Sequence, residues 1–411
     1  MKKTHYRADR CLLCGSGKLE LALPMVPTPI GNDYLPGPKQ SQECYSLTLL
    51  LCRDCGNGQI EDVVNPELLF RSYTYSTSSS LGLREHFRAY AADLLKRVGK
   101  TADDLAVDIG SNDGSLLRAF RDQGLRVLGV DPAVEIAKRA TDEGLPTVGD
   151  FFSSKLAKEL RDRHGLARIV TANNVFAHSD QLPDMADGIR ELLADDGVFT
   201  FEVSYMVDTV GKMLFDTIYH EHLCYHSVRS LESFFRRHGL ELFHVDRIAS
   251  KGGSIRGSVQ KAGGPRPVSA VVGSLIELEL NLGLDKAATY LAYGERIRAA
   301  RDAVHELIAQ VKKPGKKLAG YGASPTVTTL LYQFDLAGVL DFMVDDNPVK
   351  QNTHSPGQHI PVYDSERLYT EPADLALILA WNYVQPIKQR HQRFSDRGGH
   401  FLAPLPLAFV A

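Results

Sequence analysis

The stretch Leu105-Ala106-Val107-Asp108-Ile109-Gly110-Ser111-Asn112-Asp113-Gly114-Ser115-Leu116-Leu117 decides the fold. An apolar run ends in an acid, passes through a glycine turn and enters a segment with helical apolar spacing, which spells strand, ligand-facing turn and helix. The same succession continues outward from it. LAVDIG (105–110), RVLGVDP (126–132), ARIVTANNVF (167–176) and GVFTFEV (197–203) read as strands. SLLRAFRDQG (115–124), VEIAKRATDEG (134–144) and LPDMADGIRELLADD (182–196) read as helices. Such alternation indicates a parallel α/β sheet. LELFHVDRI (240–248) and GSIRGSVQK (253–261) are expected to close it as a hairpin around Gly252-Gly253.

Residues 270–312 read as mainly helical, and a second α/β unit follows. In it KKLAGYGASPTVTTLL (316–331) gives strand, turn and helix, and DFMVDDNP and LALILAWN give two more strands. Upstream, 70–80 (FRSYTYSTSSS) reads as a loop and 81–98 as an amphipathic helix.

Near the start stand two C-x-x-C pairs, Cys11/Cys14 and Cys52/Cys55, four of the six cysteines. Four thiolates in two such knuckles can close a tetrahedral zinc shell, which leaves no position open for chemistry and makes the metal structural. Two disulfides or a redox motif are the alternatives. The first needs an oxidising compartment, and the second does not usually come in duplicate. The 37 residues between the pairs, with Pro24, Pro27, Pro29, Pro36 and Pro38, read as an inserted loop. Cys44 and Cys224 read as ordinary thiols.

At 411 residues the chain has room for two or three domains. A formal net charge of −3 argues against general affinity for nucleic acid. No apolar run is long enough to span a bilayer, and the expected compartment is the cytoplasm.

The turn after Asp108 lacks the G-x-G-x-x-G of a dinucleotide loop. Asp108 would repel a pyrophosphate but suits a cationic amino-acid tail, and Asp131, at the end of the next strand, can accept from ribose hydroxyls. These acids favour S-adenosylmethionine over NAD. Gly110, Asn112, Gly114, Asp150, Phe151 and Asn173 complete the candidate cofactor set. Tyr219-His220-Glu221-His222 follows the strand ending near Glu202, and Asn174 and His178 sit beyond another strand end. Proton removal from carbon beside a carbonyl needs a base near neutrality and a donor for the enolate oxygen, which histidine and tyrosine supply. A second metal site is the rival reading, although the spacing departs from H-E-x-x-H.

With C-x-x-C…C-x-x-C, VDIGSNDGSLL, FDTIYHEH, KGGSIRG, GYGAS and DDNP-x-K-Q in that order, the chain resembles the C-methyltransferases of nucleotide-linked deoxysugars over nearly its whole length. The resemblance implies three parts: a zinc-binding domain (1–72), a central class I S-adenosylmethionine-methyltransferase domain of Rossmann-like α/β fold (73–268), and a helical connection leading to a C-terminal Rossmann-like domain (269–411). It implies methylation at carbon 3 of a dTDP-4-keto-6-deoxysugar, with His222 as base. Tyr219 and Glu221 would stand beside it, and His178 and Tyr73 would line the same pocket. His220 and His226 receive no role. Tyr321, Ser324, Lys350 and Asn382 would bind the nucleotide-sugar. A monomer or weak homo-oligomer is expected, with no nucleic-acid or membrane partner. Methylation of oxygen or nitrogen on a similar sugar, an inactive zinc- and cofactor-binding scaffold, and a dehydrogenase suggested by GYGAS are the alternatives.

Overall fold

The computed structural model describes residues 4–38, 40–71, 77, 82–99, 101, 103–312, 314–371 and 373–410. Its centre is a seven-stranded sheet in the order Leu240–Ile248, Ser254–Lys261, Leu193–Ser204, Ala167–Asn173, Leu105–Ile109, Arg126–Val130, Thr147–Val148. Only Ser254–Lys261 runs antiparallel to its neighbours. Every residue of Leu105–Ile109 is buried, as expected of a strand covered by helices on both faces. The chain reverses its direction of strand addition between Leu105–Ile109 and Ala167–Asn173, and the crevice at that switch point is where such sheets take ligands.

The helix from Leu182 stops at Leu192, four residues before the expected end. Leu193–Ser204 is one long strand in which Leu193 pairs with Ala167 and Val198 with Ile169, with an irregularity between. Helical spacing of apolar residues could not reveal that the sheet would claim 193–196. The hairpin forms as expected, and its second arm is wedged against Leu193–Ser204.

The second α/β unit is also seven-stranded, ordered Thr353–His354, Pro361–Asp364, Phe342–Asp345, Lys317–Tyr321, Ala373–Ile378, His400–Pro404, Leu407–Val410. The inner five strands are parallel and the two edges antiparallel. Residues 270–312 form two helices with different allegiances. Ala270–Asn281 packs Val272 and Leu275 into the central core. Its Glu279 accepts from the Val228 and Arg229 amides (2.6 and 3.0 Å) and the Tyr205 hydroxyl (2.9 Å), capping the helix Val228–Arg237. Ala287–Val311 instead buries Tyr290, Tyr293 and Ile297 with the N-terminal and C-terminal units.

The N-terminal sheet holds Leu19–Leu23, Leu49–Cys52, Gly58–Ile60 and, from far along the chain, Cys224–Tyr225. The proline-rich segment between the cysteine pairs is more than a loop. It bridges Leu35 to His354, donates the Tyr34 hydroxyl to the Ser324 carbonyl at 3.5 Å, and accepts at the Gly31 carbonyl from Thr328 Oγ1 at 2.8 Å. A Cβ at Gly31 would lie 2.8 Å from the Pro325 carbonyl oxygen, so this strap lies flush on the C-terminal unit.

Candidate active site

A cavity of about 270 Å³ opens at the switch point. Asp108, Gly110, Asn112, Asp131, Phe151 and Asn173 line it, together with His178, Tyr219, His222 and Lys251. The glycine turn shapes its floor. Gly110 has φ +70°, which disfavours a side chain, and a Cβ there would overlap Val175.

Asp108 is buried and accepts from Thr171 Oγ1 at 2.6 Å. Burial, with Asp131 adding to it, pushes its carboxyl up to about 7. Asp131 accepts from the Asn112 and Ala133 amides, both at 2.8 Å, and burial raises its pKa as well. The Asn173 amide and Ser111 Oγ are buried without a hydrogen-bond partner. Two acids short of positive charge, an orphaned amide and the aromatic wall of Phe151 and Phe152 fit an adenosyl sulfonium with a cationic tail.

Two expected cofactor residues stand outside this lining. Asp150 is exposed and pairs with Arg71 at 3.1 Å, while Arg71 lies over the Phe151 ring; the acid thus anchors the aromatic wall from behind. Gly114 caps the helix Ser115–Asp122 with φ +72°, and a Cβ there would overlap Leu145, so its role is the turn itself.

His222 is neutral and fixed in one tautomer. Its Nδ1 lies 2.8 Å from the Thr217 carbonyl, which can only accept, so Nδ1 carries the proton and Nε2 keeps a lone pair. The Tyr219 hydroxyl lies 3.2 Å from Nε2, within reach to donate. Burial first, and then the Lys251 charge, hold the imidazole down at about 4, so it is neutral and ready to accept near pH 7. The His178 ring stands 4.9 Å from that of His222, stacks on Phe70, leaves Nε2 without a partner and is held neutral by burial. Glu221 is buried, and its charge supports those of Lys251 and Lys350. Tyr73 lies outside the described residues.

The four residues expected to bind nucleotide-sugar do not line the cavity. Tyr321 donates to Asp346 at 2.8 Å and meets His391 Nε2 at 2.7 Å. Ser324 bonds Thr326. Lys350 donates to Asn32 Oδ1 at 2.7 Å over the Tyr34 ring. Asn382 is exposed beside Gly252. Lys251, within the KGGS stretch, carries no expected role yet lines the cavity; a lysine before two glycines was the available signal.

The cysteines converge as the spacing predicts. All four Sγ atoms lie within 4.8 Å of one another, with Cys11–Cys55 at 3.6 Å and Cys14–Cys52 at 3.5 Å. Zn–S bonds of about 2.3 Å imply tetrahedral edges of about 3.8 Å, whereas a disulfide needs about 2.05 Å. The sulfurs therefore fit one zinc ion and exclude disulfides among the four.

Comparison with known proteins matches residues 11–70 to a zinc binding domain, 83–245 to a methyltransferase domain and 249–406 to a C-methyltransferase C-terminal domain. The C-methyltransferase NovU of Streptomyces niveus is 33% identical over 401 residues, which cover 97% of this chain and 96% of that protein. The chain belongs to the C-methyltransferase family. This C-methyltransferase uses S-adenosylmethionine and carries a structural zinc site. Among solved structures, an S-adenosylmethionine-dependent methyltransferase from Clostridium acetobutylicum is 13% identical, with 44% of this chain and 92% of that one covered and a TM-score of 0.35. The magnesium protoporphyrin IX methyltransferase of Synechocystis, also 13% identical, covers 44% of this chain and 81% of its own at a TM-score of 0.34.

Proposed function

We propose that this C-methyltransferase alkylates carbon 3 of a nucleotide-linked 4-keto-6-deoxysugar, with dTDP as the nucleotide, through an enolate. The observation that carries the reading is His222, its Nδ1–H fixed to the Thr217 carbonyl and its Nε2 lone pair in the cavity that holds Asp108 and Asp131. S-adenosylmethionine supplies an electrophilic methyl group when bound. Asp108 receives the ammonium of its tail and Asp131 its ribose hydroxyls, while Phe151 and Phe152 wall the base. The keto group at carbon 4 acidifies the carbon-3 proton, and His222 Nε2 removes it. The Tyr219 hydroxyl, 3.2 Å from the same nitrogen, turns from it toward the substrate as the proton is taken, which leaves the single lone pair free; His178 lines the pocket, and Glu221 steadies the nearby lysines. From the C-terminal unit, Asn382, exposed beside Gly252, is the residue placed to meet the nucleotide outside the cavity, whereas Tyr321, Ser324 and Lys350 are engaged within the protein.

His222→Ala is expected to lower kcat by roughly 10²–10⁴-fold, the usual worth of a positioned base, with S-adenosylmethionine affinity nearly intact by calorimetry. Wild-type protein with dTDP-4-keto-6-deoxyglucose and S-adenosylhomocysteine should exchange the carbon-3 proton in deuterated water, and the variant should not. A product carrying the new methyl on oxygen or nitrogen would refute the reading.

A further inference from the structure

The turn between Leu240–Ile248 and Ser254–Lys261 places a lysine where L-residues rarely go. Lys251 has φ +52° and ψ +36°, in the left-handed region, and Gly252 follows at φ +86°. The surroundings hold this conformation. The Ser250 carbonyl accepts from the Gly253 amide and from Ser254 Oγ, both at 3.0 Å, and the Gly252 carbonyl accepts from Lys212 Nζ at 2.8 Å. A Cβ at Gly252 would meet Leu214 at 3.0 Å, and one at Gly253 would overlap Asp208. Strain retained at a pinned turn is a mark of sites where a side chain must be aimed.

The side chain so aimed lines the cavity shared by Tyr219 and His222. Among the described residues its ammonium enters no ion pair; Glu221 and Glu202 support its charge from a distance. It is accessible within the cleft although protein surrounds it, which holds its pKa below the ordinary lysine range.

We propose that Lys251 is a further catalytic residue, its ammonium taking up the negative charge that develops on the substrate's carbonyl oxygen as His222 removes the neighbouring proton. This rests on the enolate reading above. The carbon-3 C–H bond breaks, its proton goes to His222 Nε2, and its electron pair forms the C3–C4 double bond. The carbonyl π pair moves onto oxygen beside Lys251. The C3–C4 π pair then forms the new bond to the methyl carbon, the methyl–sulfur bond breaking with its pair left on the neutral sulfur of S-adenosylhomocysteine; the pair on oxygen returns to re-form the carbonyl, and His222 releases its proton to water.

Among the described residues that line the cavity, Lys251 is the only lysine or arginine. His178, held neutral by burial, and the Tyr219 hydroxyl can donate a hydrogen bond to the oxygen but bring no positive charge to it. A weakly basic imidazole can deprotonate carbon only if the enolate is strongly stabilised, and a cation aimed at the oxygen provides that.

Glycine suits φ +52°, so Lys251→Gly removes the charge without adding strain and should keep the melting temperature and S-adenosylmethionine affinity of the wild type. With dTDP-4-keto-6-deoxyglucose it is expected to lose roughly 10²–10³-fold in kcat and in carbon-3 deuterium exchange, the loss typical of one oxyanion donor. KM should change little, and ethylamine in the buffer should restore part of both rates. Wild-type exchange in Lys251→Gly, or a raised KM with kcat intact as a diphosphate anchor would give, would overturn the role of Lys251. Absence of exchange in the wild type would instead remove the enolate reading itself, and this proposal with it.

Discussion

Asp108 is a buried carboxylate in the cavity wall, held by one threonine hydroxyl and facing a second acid. Its proton affinity is raised, to about 7, so the folded protein without cofactor binds a proton there that the unfolded chain has already released above the ordinary carboxylate range. Stability contributed by that proton is present below pH ~4 and is lost as pH rises toward 7. Binding a cationic tail reverses the preference, because it requires the ionised carboxyl. S-adenosylmethionine affinity should therefore weaken as pH falls below about 7, with a proton released on binding, and Asp108→Asn should flatten that dependence. Calorimetry in buffers of different ionisation enthalpy checks it; a pH-independent affinity in the wild type would contradict it. Asp108, Asp131 and His222 were legible in the sequence because each lies in a short motif at a strand end, where neighbours along the chain are neighbours in space. Lys251 was not, since it reaches the cavity only after a hairpin has folded. Asp150 was misleading because its partner, Arg71, is 79 residues away.

At the level of elements, the glycine turn after Leu105–Ile109 does two jobs with one residue. Gly110 takes a left-handed φ and lets Val175, just beyond Ala167–Asn173, press against the backbone. Gly110→Ala should thus cost about 2–4 kcal/mol, combining a disfavoured backbone region with overpacking, and should weaken cofactor binding. Thermal melts with and without S-adenosylmethionine read both effects; an unchanged melting temperature would mean the turn can relax. The central strands and helices of the two α/β units were legible from apolar periodicity, whose cause is local, but the outer strands Thr147–Val148, Thr353–His354, Pro361–Asp364, His400–Pro404 and Leu407–Val410 were not. The short strand Cys224–Tyr225 was not, because two residues carry no period and their pairing with Gly58–Gln59 spans the chain.

For the molecule as a whole, the segment 206–225 is the meeting point. Phe215 stacks on Phe334 with ring centroids 5.2 Å apart, Asp216 accepts from Trp381 Nε1 at 2.9 Å, and Thr329 Oγ1 donates to the Ile218 carbonyl at 3.0 Å. The same segment ends as a strand of the N-terminal sheet, where Cys224 Sγ and Cys11 Sγ both approach the Asn57 amide, at 3.6 and 3.9 Å. His222 is therefore suspended between the zinc site and the C-terminal unit. Metal analysis should return about one zinc per chain. Its removal by chelator should lower the melting temperature and shift the emission of Trp381, the sole tryptophan, whose Nε1 donates to Asp216 in the same segment. Full metal loss with unaltered melting and emission would separate the cluster from the site.

The strap that joins Tyr34 to Ser324 also sets a schedule for synthesis. Those two residues are 290 positions apart, so at about 5–20 residues per second the strap leaves the ribosome roughly 15–60 s before the surface it covers exists. During that interval Tyr34 lacks the Ser324 carbonyl and the Lys350 ammonium it meets in the folded protein, and thiols that capture metal early would hold the strap's two ends together while it waits.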